Sequence, residues 1–446
     1  MSDDAARPVT SWTSHLRKRL ASSPRYRWYV VGMLWWISFF NYADRQAIFS
    51  VFPLLAVQMH LSKQEQGILG TAFAWVYGLC APFAGLVVDR VLRRTAILGG
   101  LYVWSAICLA TAVSRKFWHL VLFRAAEGVG ETFYYPASMS MLSDYHGRHT
   151  RSTALGLHQT SVYAGTIGGG FFAGLIGQHY GWQSSFVVFG AMGIILGLVL
   201  QRYLVEPRRG AAENGNTAAG IDQSQRLSLK QTLRLIVLTP TVLCLMLAFM
   251  AAMFVNMVLL AWMPSFLYDR FHLSLARAGF DATFYPQLAS MIGASLGGWW
   301  ADAWRRRLTS ARILVQATGV LCGAPFVYLC GQAESGSVVL VFLAGWGLCK
   351  GFYDANIFAA VFEVVPPAAR GSVAGFMNMT GWLGGGAVAP ILIGHLAQHY
   401  GFAFAISSAG SIYVLSAGLL VLAAVAFLQR DLTNLHSRSE PSLSTS

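Results

Sequence analysis

Three short stretches place ionisable side chains inside long apolar runs: Asn41-Tyr42-Ala43-Asp44-Arg45, the segment from Arg124 through Glu127 to Glu131, and the segment from Lys350 through Asp354 to Asn356. A charge at bilayer depth costs roughly 2.5–3.5 kcal/mol on insertion scales, so each is a candidate for chemistry. At about 100° per helical residue, Arg124, Glu127 and Glu131 fall on one stripe, and Lys350 and Asp354 lie four apart on another. Asp44 and Arg45 are adjacent and point to different partners. Fixed cations (Arg45, Arg124, Lys350) suit an anionic ligand. Neighbouring carboxylates away from bulk water (Asp44, Glu131, Asp354) suit the exchange of protons. The competing reading is that the charges only neutralise one another, with Glu127 pairing to Arg124. Buried pairs add little stability compared with apolar packing, which makes that a weak reason to keep them.

Polar residues without charge form a second tier. His158 and Gln159 lie on one predicted helix, where His158 is either a ligand or proton group or a packing histidine with one hydrogen bond. Asn356 and Asn378 are amides that contact a ligand or bond helix to helix. The glycines of "AGTIGGGFFAGLIG" and "GWLGGG" read as sites of close helix packing, and His179 and His399 as parts of solvated turns. No nucleophile–base pair, metal-ligand cluster or phosphate loop is recognisable, so neither an enzyme nor a metal site is expected. The six cysteines all sit in apolar helical sequence without CxxC spacing and read as packing residues.

The elements that must position these residues follow from composition. Apolar residues make up 55% of the 446 and charged ones 11%, against about 25% charged in soluble domains. Apolar runs predict helices near 28–57, 65–88, 95–113, 117–142, 152–177, 184–205, 240–267, 276–300, 311–331, 337–365, 371–397 and 403–428, each long enough to span a bilayer. Of the 32 basic residues, 24 fall on alternate connections and the termini, and five on the intervening connections. The net charge of +13 is therefore a topology signal with both termini cytoplasmic, and nucleic acid is not an expected partner. No cleaved leader is expected at the N-terminus.

The chain also repeats itself. "GQHYGW" at 177–182 returns as "AQHYGF" at 397–402, offset by 220; "GLVVDRVLRR" at 85–94 returns as "GWWADAWRRR" at 298–307, offset by 213; Arg151 and Gly156 return as Arg370 and Gly375, offset by 219. Duplication of a six-helix unit accounts for all three, and two such halves would enclose a cavity at their interface. The expected division is a cytoplasmic segment 1–27, a first bundle 28–205, a cytoplasmic linker 206–239 (flexible or lying on a surface), a second bundle 240–428 and a cytoplasmic tail 429–446.

The loop G-x-x-x-D-R-x-x-R-R resembles the signature of the major facilitator superfamily. That resemblance implies an all-α polytopic fold of twelve transmembrane helices in two pseudo-symmetric bundles. It also implies gating through Gly85, Asp89, Arg90, Arg93 and Arg94, and through Asp302 in the second copy, with Asp89 at a helix N-terminus. Within that superfamily, N-Y-x-D-R together with Arg124, Glu131 and Pro136 resembles the anion:cation symporters. This implies substrate contacts at Tyr42, Arg45 and Arg124 and proton relay at Asp44 and Glu131. Two departures stand out: Val162 where sugar-acid carriers often hold Gln, and Trp382 in "GWLGG" where they commonly hold Asn. Both make an aromatic or more apolar carboxylate a rival to a sugar acid. The expected function is proton-coupled symport of a small organic anion by a monomer in a bacterial inner membrane, with the proton gradient as energy source and no cofactor. The G-V-G-E stretch also resembles spinster-type lysolipid transporters, and a non-transporting sensor is the remaining alternative.

Overall fold

A computed structural model of the chain describes residues 25–147, 149–207 and 228–439, with only the backbone course given for 85, 86, 89 and 436–439. Expectations for 1–24, 208–227 and 440–446 lie outside the described residues, and among these every regular element is a helix.

The first half runs α1 (Tyr26–Ser50), α2 (Phe52–Gln58), α3 (Lys63–Arg90), α4 (Arg93–Thr111), α5 (Phe117–Thr132), α6 (Tyr134–Tyr145), α7 (Arg151–Tyr180) and α8 (Trp182–Tyr203). A short helix α9 (Leu229–Leu238) ends the linker, so that segment is ordered over its last ten residues. The second half runs α10 (Pro240–Phe271), α11 (Leu275–Arg305), α12 (Ala311–Gln332), α13 (Gly336–Asp354), α14 (Ile357–Glu363), α15 (Arg370–Thr380) and α16 (Val388–Leu422), and α17 (Leu428–Ser439) follows. Helical structure thus occupies all twelve expected stretches. By length and composition, seven segments of the described residues are apolar enough to cross a membrane. Three expected helices are broken in mid-course. The first breaks at Val51 ahead of Pro53, the fourth at Phe133 ahead of Pro136, and the tenth at Ala355–Asn356. A proline lacks the N–H that would continue the ladder, which accounts for the first two. The tail is helical through Ser439, where only a cytoplasmic segment was expected.

The duplication is visible in the backbone. Gly181 (φ 84°, ψ 156°) and Gly401 (φ 83°, ψ 160°) adopt the same left-handed conformation in the two copies of the repeated hexamer, which only glycine takes without strain. Gly401 divides α16 into two passes. His60 and His272 share φ 53° ahead of the N-cap serines Ser62 and Ser274, a fourth repeat that the sequence comparison overlooked. Helix packing repeats as well. In the first half α1 packs on α7, α3 on α5 and α4 on α8; in the second α10 packs on α16, α11 on α13 and α12 on α16. Across the halves α7 packs on α11 and α3 on α16. Outward faces carry exposed Leu122, Ile195, Leu321 and Leu415, as lipid requires.

The halves touch most closely at the end that carries the hexamers. A Cβ added at Gly279 would strike the Gly170 carbonyl, and one at Gly394 would lie 2.5 Å from the Lys63 carbonyl oxygen. Lys63 Nζ reaches Asp269 Oδ2 across the seam at 2.8 Å, and the Gln64 N–H donates to Gln398 Oε1 at 3.3 Å. We predict that Gly169→Val, which drives a side chain into the Ala43 backbone within one half, lowers stability by about 1–3 kcal/mol in melts. Gly279→Val, at the seam, should instead leave the melt nearly unchanged. Its expected effect is to weaken cross-linking of paired Lys63→Cys and Asp269→Cys substitutions by a short bifunctional thiol reagent.

Candidate functional site

Two buried arginines form the centre of the first half, each with its own acid. Arg45 on α1 donates to Glu131 Oε2 on α5 through both Nη2 (2.6 Å) and Nε (3.1 Å), and more weakly to Asn41 Oδ1 at 3.4 Å. Arg124, 0% exposed, donates through Nη1 to Glu127 Oε2 one turn along α5. The shared stripe expected for Arg124, Glu127 and Glu131 is therefore real and faces inward, and Glu127 does pair with Arg124. The two arginines differ in what remains. The Nε/Nη2 edge of Arg45 is filled by Glu131, whereas Nε and Nη2 of Arg124 have no protein partner.

Aromatic rings supply the walls. The Arg45 guanidinium lies 4.7 Å from the Tyr42 ring centroid, 4.5 Å from Phe73, 4.9 Å from Tyr77 and 5.6 Å from Trp382. Arg124 lies 5.2 Å from the same Phe73 ring. Cation–π contact of this kind holds a guanidinium in place once water is removed. Trp382 comes from the second half. It sits on a π-helical turn, Gly381–Gly386, closed by the Ala387 N–H to the Trp382 carbonyl at 2.7 Å. Widening of the helix by one residue is a recurrent feature of functional sites, and here Gly381, Gly384 and Gly385 lie against Phe249 and Met250 of α10. Phe73 and Tyr77 were missed in the sequence. They are one turn apart on α3, but in a chain with 13% aromatics that spacing does not stand out.

Asp44 points the other way, as adjacency to Arg45 requires. Its Oδ1 accepts from the Cys108 thiol of α4 at 3.0 Å, and one polar atom each of Asp44, Cys108 and Glu127 lie within 4.8 Å of one another. Cys108 is thus more than the packing residue that its apolar sequence context suggests.

The remaining candidates separate. Lys350 pairs with Asp354 on α13, and Tyr163 of α7 is close enough to interact with both charges. Asn356 donates to the Gly297 carbonyl on α11 at 3.2 Å and to the Phe352 carbonyl at 3.0 Å, so its amide hydrogens bond helix to helix. Asn378 donates to the Ala374 carbonyl in its own helix. His158 is fully buried, with Nε2 at 2.9 Å from the Tyr134 hydroxyl, which donates to the Leu34 carbonyl at 2.6 Å. Its other ring nitrogen, Nδ1, is buried without a protein partner. Gln159 is half-buried on the next position of α7.

With this architecture in view, comparison with known proteins is decisive for the family. The Major Facilitator Superfamily model matches residues 34–387 and, in a second register, 282–443. The chain belongs to the Major Facilitator Superfamily. It is similar to the D-galactonate transporter of Escherichia coli (26% identity, 90% of this chain and 97% of the relative) and the hexuronate transporter of Bacillus subtilis (24%, 90% and 93%). It is also similar to Protein spinster of Drosophila melanogaster (25%, 85% and 63%). Among solved structures, a bacterial homologue of the human lysosomal transporter Spinster, described as inward-facing and occupied, superposes with a TM-score of 0.79 at 20% identity, covering 92% of this chain and 99% of that one. The chain is accordingly a multi-pass membrane transporter.

At the basic end, this superfamily member builds the same ionic joint twice. Arg93 at the start of α4 pairs with Asp144 at the end of α6, and Arg312 at the start of α12 reaches Glu363 at the end of α14 at 2.6 Å. Both partners are offset by 219, a signal already present in the numbering. Glu206 adds to the first joint, accepting from Arg93 Nε at 2.9 Å and from the Arg94 N–H at 2.7 Å at the α4 N-terminus. Asp302 accepts from Arg312 at 2.8 Å, and Arg305 also meets Glu363. None of these contacts crosses from one half to the other. Arg90 is exposed, and for Gly85 and Asp89 only the backbone course is described, so the expected seat of Asp89 at a helix N-terminus lies outside the described residues.

Removing one partner of a buried ion pair strands the other charge, at a cost of about 3–5 kcal/mol. Glu131→Ala should therefore lower stability by roughly that amount, while Glu131→Gln, which keeps an acceptor for Arg45, should lose markedly less. Thermal melts in detergent distinguish them, and equal losses would contradict the pairing.

Proposed function

We propose that this transporter moves a small organic carboxylate together with protons by alternating access, drawing on the proton gradient. The observation that carries this reading is the unequal filling of Arg45 and Arg124, the two arginines at the centre of the first half. The Nε/Nη2 edge is the fork that takes a carboxylate bidentately. In Arg45 that edge already holds the Glu131 carboxylate; in Arg124 it is unpartnered inside the protein. A substrate carboxylate on Arg124 satisfies donors that are otherwise costly to bury. Protonation of Glu131 weakens its hold on Arg45, and the released guanidinium becomes the second contact. Asp44 is the other proton site. Lys350, paired with Asp354 in the second half, closes on the distal end of the substrate, and Gln159 is a polar neighbour on α7.

The relatives named for D-galactonate and hexuronates support an organic acid as cargo. The rings of Tyr42, Phe73, Tyr77 and Trp382 support one with a flat or apolar body over a polyol, since each ring offers a π-face in place of hydrogen bonds. Tight contacts at the hexamer end and within-half joints at the basic end fit a state open towards the basic, cytoplasmic side, with Arg93, Arg94 and Asp302 linking helices that rock as a unit. Charge asymmetry of the loops supports cytoplasmic termini and a bacterial inner membrane, and the protein acts as a monomer.

A second reading, transport of a lysolipid, draws on the spinster relatives and on a groove of about 410 Å³ at the α3–α16 seam, lined by Trp75, Val388, Ile391 and Leu392. Counterflow in proteoliposomes across sugar acids, aromatic acids and lysophosphatidate separates the two. Uptake of a carboxylate that a long acyl chain fails to compete supports the first, and transport of the lysolipid alone overturns it. Glu131→Gln should abolish gradient-driven accumulation while leaving exchange measurable. Arg124→Lys, which keeps the charge but loses the fork, should weaken substrate binding by about tenfold or more, measured as the half-saturating concentration in exchange.

A further inference from the structure

We propose that Cys108 is a positioning residue for Asp44, its single thiol hydrogen passing between the Asp44 carboxylate and the Phe186 carbonyl according to the charge on Asp44. The geometry offers one donor and two acceptors. Cys108 Sγ lies 3.0 Å from Asp44 Oδ1 on α1 and 3.3 Å from the carbonyl oxygen of Phe186 on α8. A thiol donates one hydrogen, so both bonds cannot be made at once. An ionised carboxylate is the stronger acceptor and takes the hydrogen. Once Asp44 is protonated it needs no donor, and the thiol turns to the Phe186 carbonyl as a second donor beside that of the helix.

The surroundings make this bond matter. Cys108 is fully buried and Asp44 is 3% exposed, so no bulk water substitutes for the thiol. The charged groups facing the pair are Arg45 on α1 and Arg124, Glu127 and Glu131 on α5. Arg45 is engaged by Glu131, and Arg124 by Glu127. α8 carries no ionisable residue from Trp182 to Gln201, and α7 passes at this level as a glycine-rich stretch whose Gly169 meets the Ala43 backbone. α4 supplies no ionisable side chain here besides Cys108. Asp44 accepts its hydrogen bond from a neutral thiol, whereas Glu127 and Glu131 each accept from a guanidinium, and the thiol sets how readily Asp44 gives up its proton. Because Cys108 joins α1 to α8 through alternative bonds, the protonation state of Asp44 is also registered at α8.

The inference rests on the proton-coupling role given to Asp44 above, and the test keeps the two apart. Purified protein in lipid vesicles is titrated in the infrared without substrate, following the carbonyl band of protonated carboxyl groups and the S–H stretching band, each as a difference against Asp44→Asn or Cys108→Ser. The expected result is an S–H band that moves to higher frequency as pH falls, with the midpoint of the Asp44 carboxyl band, and that loses its pH dependence in Asp44→Asn. Cys108→Ala should raise the Asp44 midpoint by about one pH unit, a tenfold change in proton affinity, and Cys108→Ser should return it towards the wild-type value. An S–H band indifferent to pH while Asp44 titrates overturns the Cys108 inference and leaves Asp44 in place. This wild-type measurement stands even where Cys108→Ala does not fold. A carboxyl band identical in wild type and Asp44→Asn removes Asp44 from proton coupling, and the inference falls with it.

Discussion

The structure depends on holding the guanidinium groups of Arg45 and Arg124 out of water at the centre of the first half. Burying a charge is expensive unless it is paired and hydrogen-bonded. Here the pairing is economical: Glu131 satisfies Arg45 with one oxygen, and Glu127 satisfies only one arm of Arg124. Phe73 lies within cation–π distance of both. Ligands of opposite charge are thus already anticipated by the protein's own carboxylates, and a change in their protonation changes what the arginines seek. Stability and function are coupled through the same few contacts.

That arrangement is useful only if the two halves move against each other without tearing the cluster apart. The acids and arginines of the cluster belong to one half, with Trp382 the visiting residue from the other. Several contacts between halves are backbone-to-backbone at glycine, as for Gly170 with Gly279. Such contacts are close when made and leave no side chain behind when broken. The ionic joints at the opposite end bind each half to itself. Arg93 with Asp144 and Arg312 with Glu363 tie the start of one helix to the end of the next, so each half stays rigid while the seam between them changes.

Much of this was legible in the primary structure, for identifiable reasons. Periodic apolar runs, the placement of basic residues and the internal repeats depend on solvent and on chain history, and none requires knowing which helix touches which. The helical stripe of Arg124, Glu127 and Glu131 was readable because three- and four-residue spacings are enforced by the helix itself. So was the divergence of Asp44 from Arg45. Other parts were not. Asn356 and His158 stood out because polarity at membrane depth is rare, but the neighbours they bond, Gly297 and Tyr134, are set by helix packing and not by spacing. Phe73 and Tyr77 did not stand out and Cys108 looked like packing, because nothing in their immediate sequence marks them.

By itself, then, the chain's order of residues determined that it is a duplicated helical membrane protein with buried arginines facing carboxylates, because local periodicity and the water–lipid boundary act on short segments. Only the tertiary structure decided which carboxylate holds which arginine, that Trp382 reaches Arg45 from the other half, and that Asp44 answers to a thiol. Those are pairings between side chains brought together by helix packing, and short-range spacing carries no information about them.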